Sequence, residues 1–355
     1  MVNNNEFLQP REAVRAMRPY TPPTQGREHA MRLDFNENTI GCSPAVLAAI
    51  TSALTGDRLA IYPEYNTALS QVAAFLDVPQ DNIMLTNGTD EAIQVLVNTF
   101  VEPGSELLIL HPSYAMYRFY AEVAGVKVHE VDYNVEDGLR FPLQALLDAI
   151  KPNTRAIFVA NPNNPTGGSV SLDEIRQLLN SAPNALVLVD EAYVEFSGIS
   201  ALSLISQFPQ LVISRTFSKA FGLAGLRCGC LISNSENIAW VKKAQSPYSV
   251  NVLAAVAASA AVQDTSFVDA YVREVIAART FVVSELNRLG IRQFPTDANF
   301  VLIDVGGRAQ EIVDRLRKAE ILIRNRSHEL SGCVRVTIGT IEQMQQFISE
   351  LEKAI

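Results

Sequence analysis

The sequence predicts an α/β protein, with a mostly parallel sheet packed between helices and a smaller α+β unit after it. Three observations carry this. Seven short apolar runs between residues 82 and 232 alternate with helix-like patterns, the rhythm of strands joined by crossover helices. Several of the runs are apolar throughout, as strands covered on both faces are. The rhythm stops after residue 250 and takes another form near the C-terminus.

The seven predicted strands cover 82–85, 106–110, 127–131, 156–160, 185–190, 211–215 and 228–232. Between them, "DEAIQVLVNTFV" (90–101) has apolar residues at helical spacing. "SLDEIRQLLNS" (171–181) opens with Ser171 and Glu174, the spelling of a capping box. A long helical region runs to about 289 and ends near Gly290. Then come a strand at 300–305, a helix at 309–319, strands at 321–324 and 334–339, and a last helix. With 355 residues, the chain is too long for one simple core. We divide it into an N-terminal arm (1–42), a large domain (43–250), a linking helical region (251–289) and a small C-terminal domain (290–355). The arm, with its Pro-rich "RPYTPP", is expected to pack on the small domain or on a partner subunit.

Composition narrows the function classes. Hydrophobic residues make up 48% and charged residues 19%, which suits a globular enzyme and not a disordered chain. The net charge of −9 and the lack of a basic tract argue against a nucleic-acid partner. No apolar h-region opens the chain, so no secretory signal is expected. The most apolar helical stretch, 250–262, is shorter than the roughly 20 residues of a membrane span. Four scattered cysteines, Cys42, Cys228, Cys230 and Cys333, have no zinc-type spacing and point to a reducing cytoplasm. Cys228 and Cys230 should share one face of a strand. Of His29, His111, His129 and His328, none has a metal-like neighbour, so all four read as structural or surface groups, and no metal is expected.

GxSxG, HExxH, Walker-type and GxGxxG signatures are missing. Four strand-end motifs remain. In "TNGTDEAI" (86–93), Gly88, Thr89 and Asp90 join a strand to a helix. Free amides at a helix start beside a glycine form a phosphate site, although an ordinary turn capped by Thr89 has the same spelling. In "NPNNPTGG" (161–168), two prolines and two glycines present Asn164 on a tight turn, which could also be plain loop punctuation. In "VLVDEAYVEF" (187–196), Asp190 ends a very apolar strand and Tyr193 follows. Such a carboxylate needs something positive to meet it, unless it merely caps a helix. In "SRTFSKAFGLAGLR" (214–227), Lys219 sits beside Thr216 and Ser218, with Arg227 eight residues on.

Taken in order, these motifs resemble the fold-type I pyridoxal-phosphate enzymes, the aspartate-aminotransferase superfamily, over nearly the whole chain. The resemblance implies a large domain with a mostly parallel seven-stranded sheet between helices, plus a smaller α+β domain. It implies pyridoxal 5'-phosphate as cofactor, with Lys219 joined to its aldehyde. An amine of ordinary pKa, about 10.4, is too protonated for that work; burial and a cation such as Arg227 would lower it. Arg227, Ser218 and the amides of Gly88, Thr89 and Asp90 are implied to hold the phosphate, with Thr216 a further candidate. Asp190 is implied to pair with the ring nitrogen, making the ring an electron sink. Asn164 and Tyr193 are implied to bind the phenolic oxygen, and Tyr114 to stack on the ring.

Within the superfamily, the chain is most similar to the histidinol-phosphate aminotransferases. The likeness lies in "RPY" (18–20), "LDFNENTIG" (33–41), "YPEY" (62–65), "PSYAMYRFYAEVAGV" (112–126), "SKAFGLAGLRCG" (218–229) and "IRNRSHELSGCVRVTIGT" (323–340). It implies amino transfer between L-histidinol phosphate and 2-oxoglutarate in histidine biosynthesis. The products would be imidazole acetol phosphate and glutamate, reached in ping-pong fashion through pyridoxamine phosphate. Lys219 would move the proton. Arg324 and Arg335 match anion-binding positions; as surface ion pairs they would mean little. Tyr20 and Asn36 match positions lining the substrate site. Tyr62 matches a residue that reaches the phosphate from the other subunit, which implies a homodimer with a shared active site. Thr39 stands where a proline is common, and "TPPTQGREHA" differs from the usual arm. Those departures leave the amino donor open: phenylalanine or tyrosine, as in aromatic aminotransferases, or a phosphorylated amine, as in a phosphothreonine-type decarboxylase. A non-catalytic ligand sensor would be expected to lose Lys219 or Asp190, and both are present.

Overall fold

A computed structural model describes residues 8–19 and 25–355 of the chain. Two sheets organise it. The small one begins with β1 (Met31–Leu33). The large one takes the next seven strands: β2 (Ile83–Thr86), β3 (Glu106–His111), β4 (Lys127–Asp132), β5 (Thr154–Ala160), β6 (Leu186–Asp190), β7 (Leu211–Thr216) and β8 (Gly229–Ile232). Their spatial order is β2-β8-β7-β6-β5-β3-β4. β3 to β7 pair in parallel, and only β8 runs against its neighbours. All seven expected strands are therefore present in one sheet. The apolar runs explain why: every residue of β2, β6 and β8 is buried, as in a sheet with helices on both faces.

The topology sets the site. The carboxyl ends of β2, β5, β6 and β7 lie on one edge and lead into the turns bearing Gly88, Asn164, Asp190 and Lys219. The chain order reverses between β3 and β5, and ligands in open parallel sheets bind outside such a switch point.

The small sheet is completed by β9 (Arg292–Gln293), β10 (Phe300–Asp304), β11 (Ile321–Asn325) and β12 (Cys333–Thr337), in the order β1-β11-β12-β10-β9. β1 pairs in parallel with β11. β1 and β9 are not legible in the sequence, because three and two residues are too few to show a period. The expected long helical region is two helices, Val252–Ala261 and Thr265–Arg288. The arm divides its contacts. β1 joins the small sheet, while the helix Glu12–Ala16 packs on Ala115–Ala124 of the large unit, with Arg11 donating to the Val123 carbonyl.

Local signals held where chemistry dictated them. Ser171 and Glu174 form the capping box. Cys228 and Cys230 are buried in one apolar cluster, and all four cysteines are unpaired. His111 pairs with Asp132 and His129 with Glu106, His328 lies near Glu329, and His29 is exposed. Among the described residues, no cluster could hold a metal ion, and no helix is long and apolar enough to cross a membrane.

Candidate active site

Each motif delivers its side chain at a strand end. Gly88 opens the helix Gly88–Phe100 with φ of +73°, a backbone only glycine adopts without strain. A Cβ there would lie 2.7 Å from Arg227 Nη2. The helix has no side-chain cap at Asn87, so its first-turn amides face outward without one, and Thr89 is not an N-cap. Asp90, in that first turn, accepts from Arg227 Nη2 at 3.1 Å and from Tyr114 Oη at 2.8 Å. Arg227 also donates to the Ala224 carbonyl at 3.1 Å. The Thr216 hydroxyl accepts from the Ser218 amide at 3.1 Å, which shapes the turn before Lys219.

Lys219 donates from Nζ to the Phe35 carbonyl at 2.9 Å. Its pKa falls from 10.5 to about 8, first through burial and then through Arg335 and Arg227, against the pull of Glu37 and Asp90. The expectation that Arg227 would lower it holds, but Arg335 acts more strongly.

Asp190 is buried at the end of β6. Burial raises its pKa, yet no cation lies within hydrogen-bonding distance of it among the described residues. Two neutral hydroxyls meet it instead: Ser214 Oγ at 2.7 Å on Oδ1 and Tyr117 Oη at 2.7 Å on Oδ2. Hydrogen bonds from hydroxyls favour the charged form of a carboxylate, as a cation would. Asp190 does not cap a helix; the short helix Val194–Ser197 starts after Tyr193. Burial also pushes the Tyr193 pKa up. Its hydroxyl accepts from Asn36 Nδ2 at 3.0 Å, and its ring meets Phe300 edge-on.

Arg335 lies inside β12, not at a strand end, and is 4% exposed. Nη2 donates to the Asp34 carbonyl at 2.6 Å and Nη1 to Asn164 Oδ1. Burial and the nearby Arg326 lower its pKa to about 10. Arg324 stands directly opposite it across the β11–β12 ladder. Neither forms an ion pair with a carboxylate among the described residues, so the surface-ion-pair alternative fails for both.

One cavity of about 560 Å3 joins these groups. Among the described residues, it is lined by every expected site residue except Gly88, which lies behind Arg227, and Tyr62. Tyr62 is 73% exposed and stacks on Tyr248. Tyr20 lies outside the described residues. Sequence reasoning missed Arg27, Phe35 and Glu37, which line the same cavity. Arg27 binds both Asp34 and Glu37 and lies 4.3 Å from the Phe35 ring centroid. It also missed Tyr117 and Ser214. Their faint signals were a tyrosine three residues after Tyr114, on the same helix face, and a lone hydroxyl in the apolar run "LVIS".

The profile describing aminotransferase class I and II matches residues 28–351. The chain belongs to the class I and II aminotransferases. A histidinol-phosphate aminotransferase of Symbiobacterium thermophilum is 35% identical over 97% of this chain and 98% of its own. One from Geobacillus thermodenitrificans is 36% identical over 95% of each. Among solved structures, histidinol-phosphate aminotransferase from Sinorhizobium meliloti in complex with pyridoxal-5'-phosphate superposes with a TM-score of 0.89, covering 99% of this chain and 98% of that one. At 24% identity, that last likeness speaks for the fold. This aminotransferase thus has the fold-type I architecture that the resemblance of its motifs implied.

Proposed function

We propose that this aminotransferase moves an amino group between L-histidinol phosphate and 2-oxoglutarate, using pyridoxal 5'-phosphate, in histidine biosynthesis. One observation carries the reading: an amine of lowered pKa, Lys219, shares one cavity with a buried carboxylate, Asp190, and a buried guanidinium that has no ion pair among the described residues, Arg335. The curated relatives named above act in the same sense by their names.

The donor set fits the cofactor. Arg227, which packs on Gly88, lines the cavity with Ser218, Thr89 and Asp90, and the helix that Gly88 opens has no side-chain cap, a donor set suited to a phosphate dianion. Asp190 suits a protonated ring nitrogen, and Tyr193 with Asn164 suits a phenolate oxygen. When bound, pyridoxal phosphate supplies an aldehyde that condenses with amines and a ring that accepts the electron pair left at Cα. The protein does the rest. Lys219, with a pKa of about 8, gives and takes a proton near neutral pH. Arg335 keeps a buried Nε without a hydrogen-bond partner, an orphaned donor that an anionic substrate oxygen would satisfy. Arg324 beside it gives a second cation, so one subsite can take a phosphate monoester and a carboxylate in turn.

We further propose a homodimer in which Tyr62 completes the partner's phosphate site; its exposed stack with Tyr248 supports a surface made to be covered. Four unpaired cysteines suit a reducing cytoplasm. A half-reaction assay tests the donor: the enzyme is mixed with histidinol phosphate, glutamate or phenylalanine, and the visible band of the bound cofactor is followed. Histidinol phosphate and glutamate should each change it. A strong response to phenylalanine with none to histidinol phosphate would overturn the assignment.

A further inference from the structure

Asp190 has an unusual setting for an acid at the heart of a site. It is 3% exposed, and burial disfavours its charge. The site's cations are engaged elsewhere: Lys219 on the Phe35 carbonyl, Arg227 on Asp90, and Arg335 on Asn164 and the Asp34 carbonyl. What remains to hold the carboxylate is one hydroxyl on each oxygen, both at 2.7 Å.

Both hydroxyls are fixed by the fold. Ser214 is the β7 residue in register with Asp190 of β6, so strand pairing alone puts its Oγ beside Oδ1. Tyr117 comes from the helix Ala115–Ala124, is fully buried, and has its ring edge-on to both Tyr114 and Phe158 at 5.7 Å. A ring so packed cannot turn its hydroxyl elsewhere. Tyr117 does not line the cavity, whereas Tyr114, three residues before it, does. Tyr117 can therefore reach the bound cofactor only through a neighbour, by its hydroxyl through Asp190 or by its ring through Tyr114, and the two routes are separable by removing the hydroxyl alone. An ionised carboxylate has lone pairs to spare after two such bonds, so one ring N–H can still be accepted.

We propose that Tyr117 is a positioning residue for the reaction: together with Ser214 it clamps the Asp190 carboxylate, fixing the orientation and the anionic form in which it meets the cofactor's ring nitrogen. The inference rests on the cofactor reading above. The other groups that face Asp190 divide: Lys219 favours its charge, Asp90 opposes it, and Tyr114 and Tyr193 stay neutral with raised pKa values. The two hydroxyls are the larger opposing influence to burial.

The test uses binding and not turnover. The full-length apoenzyme, as wild type and as Tyr117→Phe, is titrated with pyridoxal phosphate and with its 1-deaza analogue, in which carbon replaces the ring nitrogen. Removing one hydrogen bond to a charged acceptor should weaken pyridoxal phosphate binding about tenfold. The 1-deaza analogue makes no bond to Asp190, so its affinity should differ between the two proteins by less than about twofold. Equal weakening of both ligands would mean a merely structural tyrosine and would overturn the clamp, as would unchanged affinity for both. Ser214→Ala should repeat the pattern, and it decides the matter if Tyr117→Phe does not fold. A wild-type chain that binds neither compound would overturn the cofactor reading itself, and the clamp with it.

Discussion

Replacing Lys219 by methionine should make the cofactor-free protein more stable, and in a pH-dependent way. The amine's pKa falls from 10.5 to about 8 on folding, chiefly through burial. That difference corresponds to about 3 kcal/mol against the folded state wherever lysine is protonated in both states. The substitution also removes the bond from Nζ to the Phe35 carbonyl, which costs about 1 kcal/mol. Methionine keeps all but the last atom of the side chain's length and carries no charge. The net gain at neutral pH is therefore about 2 kcal/mol. The sign follows from linkage. The folded wild type binds fewer protons than the unfolded chain between about pH 8 and 10.5, so its stability rises with pH through that window. The methionine variant lacks this rise. The gap between the two should be constant below about pH 8 and close as pH climbs above it. Denaturant unfolding of both apo-proteins across neutral to alkaline pH measures it. A variant no more stable than wild type at neutral pH, or a gap that ignores pH, would refute the electrostatic reasoning.

Two further outcomes can be checked directly. Gly88→Ala places a Cβ 2.7 Å from Arg227 Nη2 at a φ of +73°; pyridoxal phosphate affinity, read by absorbance titration, should drop about tenfold through the displaced guanidinium. Stability should fall by about 1 kcal/mol from the left-handed backbone. If Tyr62 serves the partner's site, mixing inactive Lys219→Ala with weakened Tyr62→Ala under subunit exchange should restore about a quarter of wild-type activity, since half the dimers are mixed and each holds one intact site. Activity that never exceeds the sum of the two parents would exclude a shared site.

Much of the fold was legible because its signals are local. Runs such as 156–160 and 185–189 have no polar face to offer water, and at that length between turns they read as strands buried on both sides. Lys219, Asp190, Asn164 and Arg227 stood out because each follows such a run or a glycine-rich turn, where parallel sheets present their ligands. The arm was harder. Arg27 and Glu37 carry no spelling that separates them from surface charges, and only their position beside Phe35 brings them into the cavity.

The order of apolar runs and turns thus determined, by itself, which elements form and which side chains stand at strand ends. The tertiary structure alone decided what those side chains meet. Asp190 was legible as a buried carboxylate, but only the fold brings the hydroxyls of Tyr117 and Ser214 to it. Lys219 was expected to feel Arg227 and feels Arg335 more. The physical reason is range. Hydrophobic periodicity and turn chemistry act between residues a few positions apart. Hydrogen bonding and charge act across a few ångströms of space, between residues that only strand pairing and helix packing bring together.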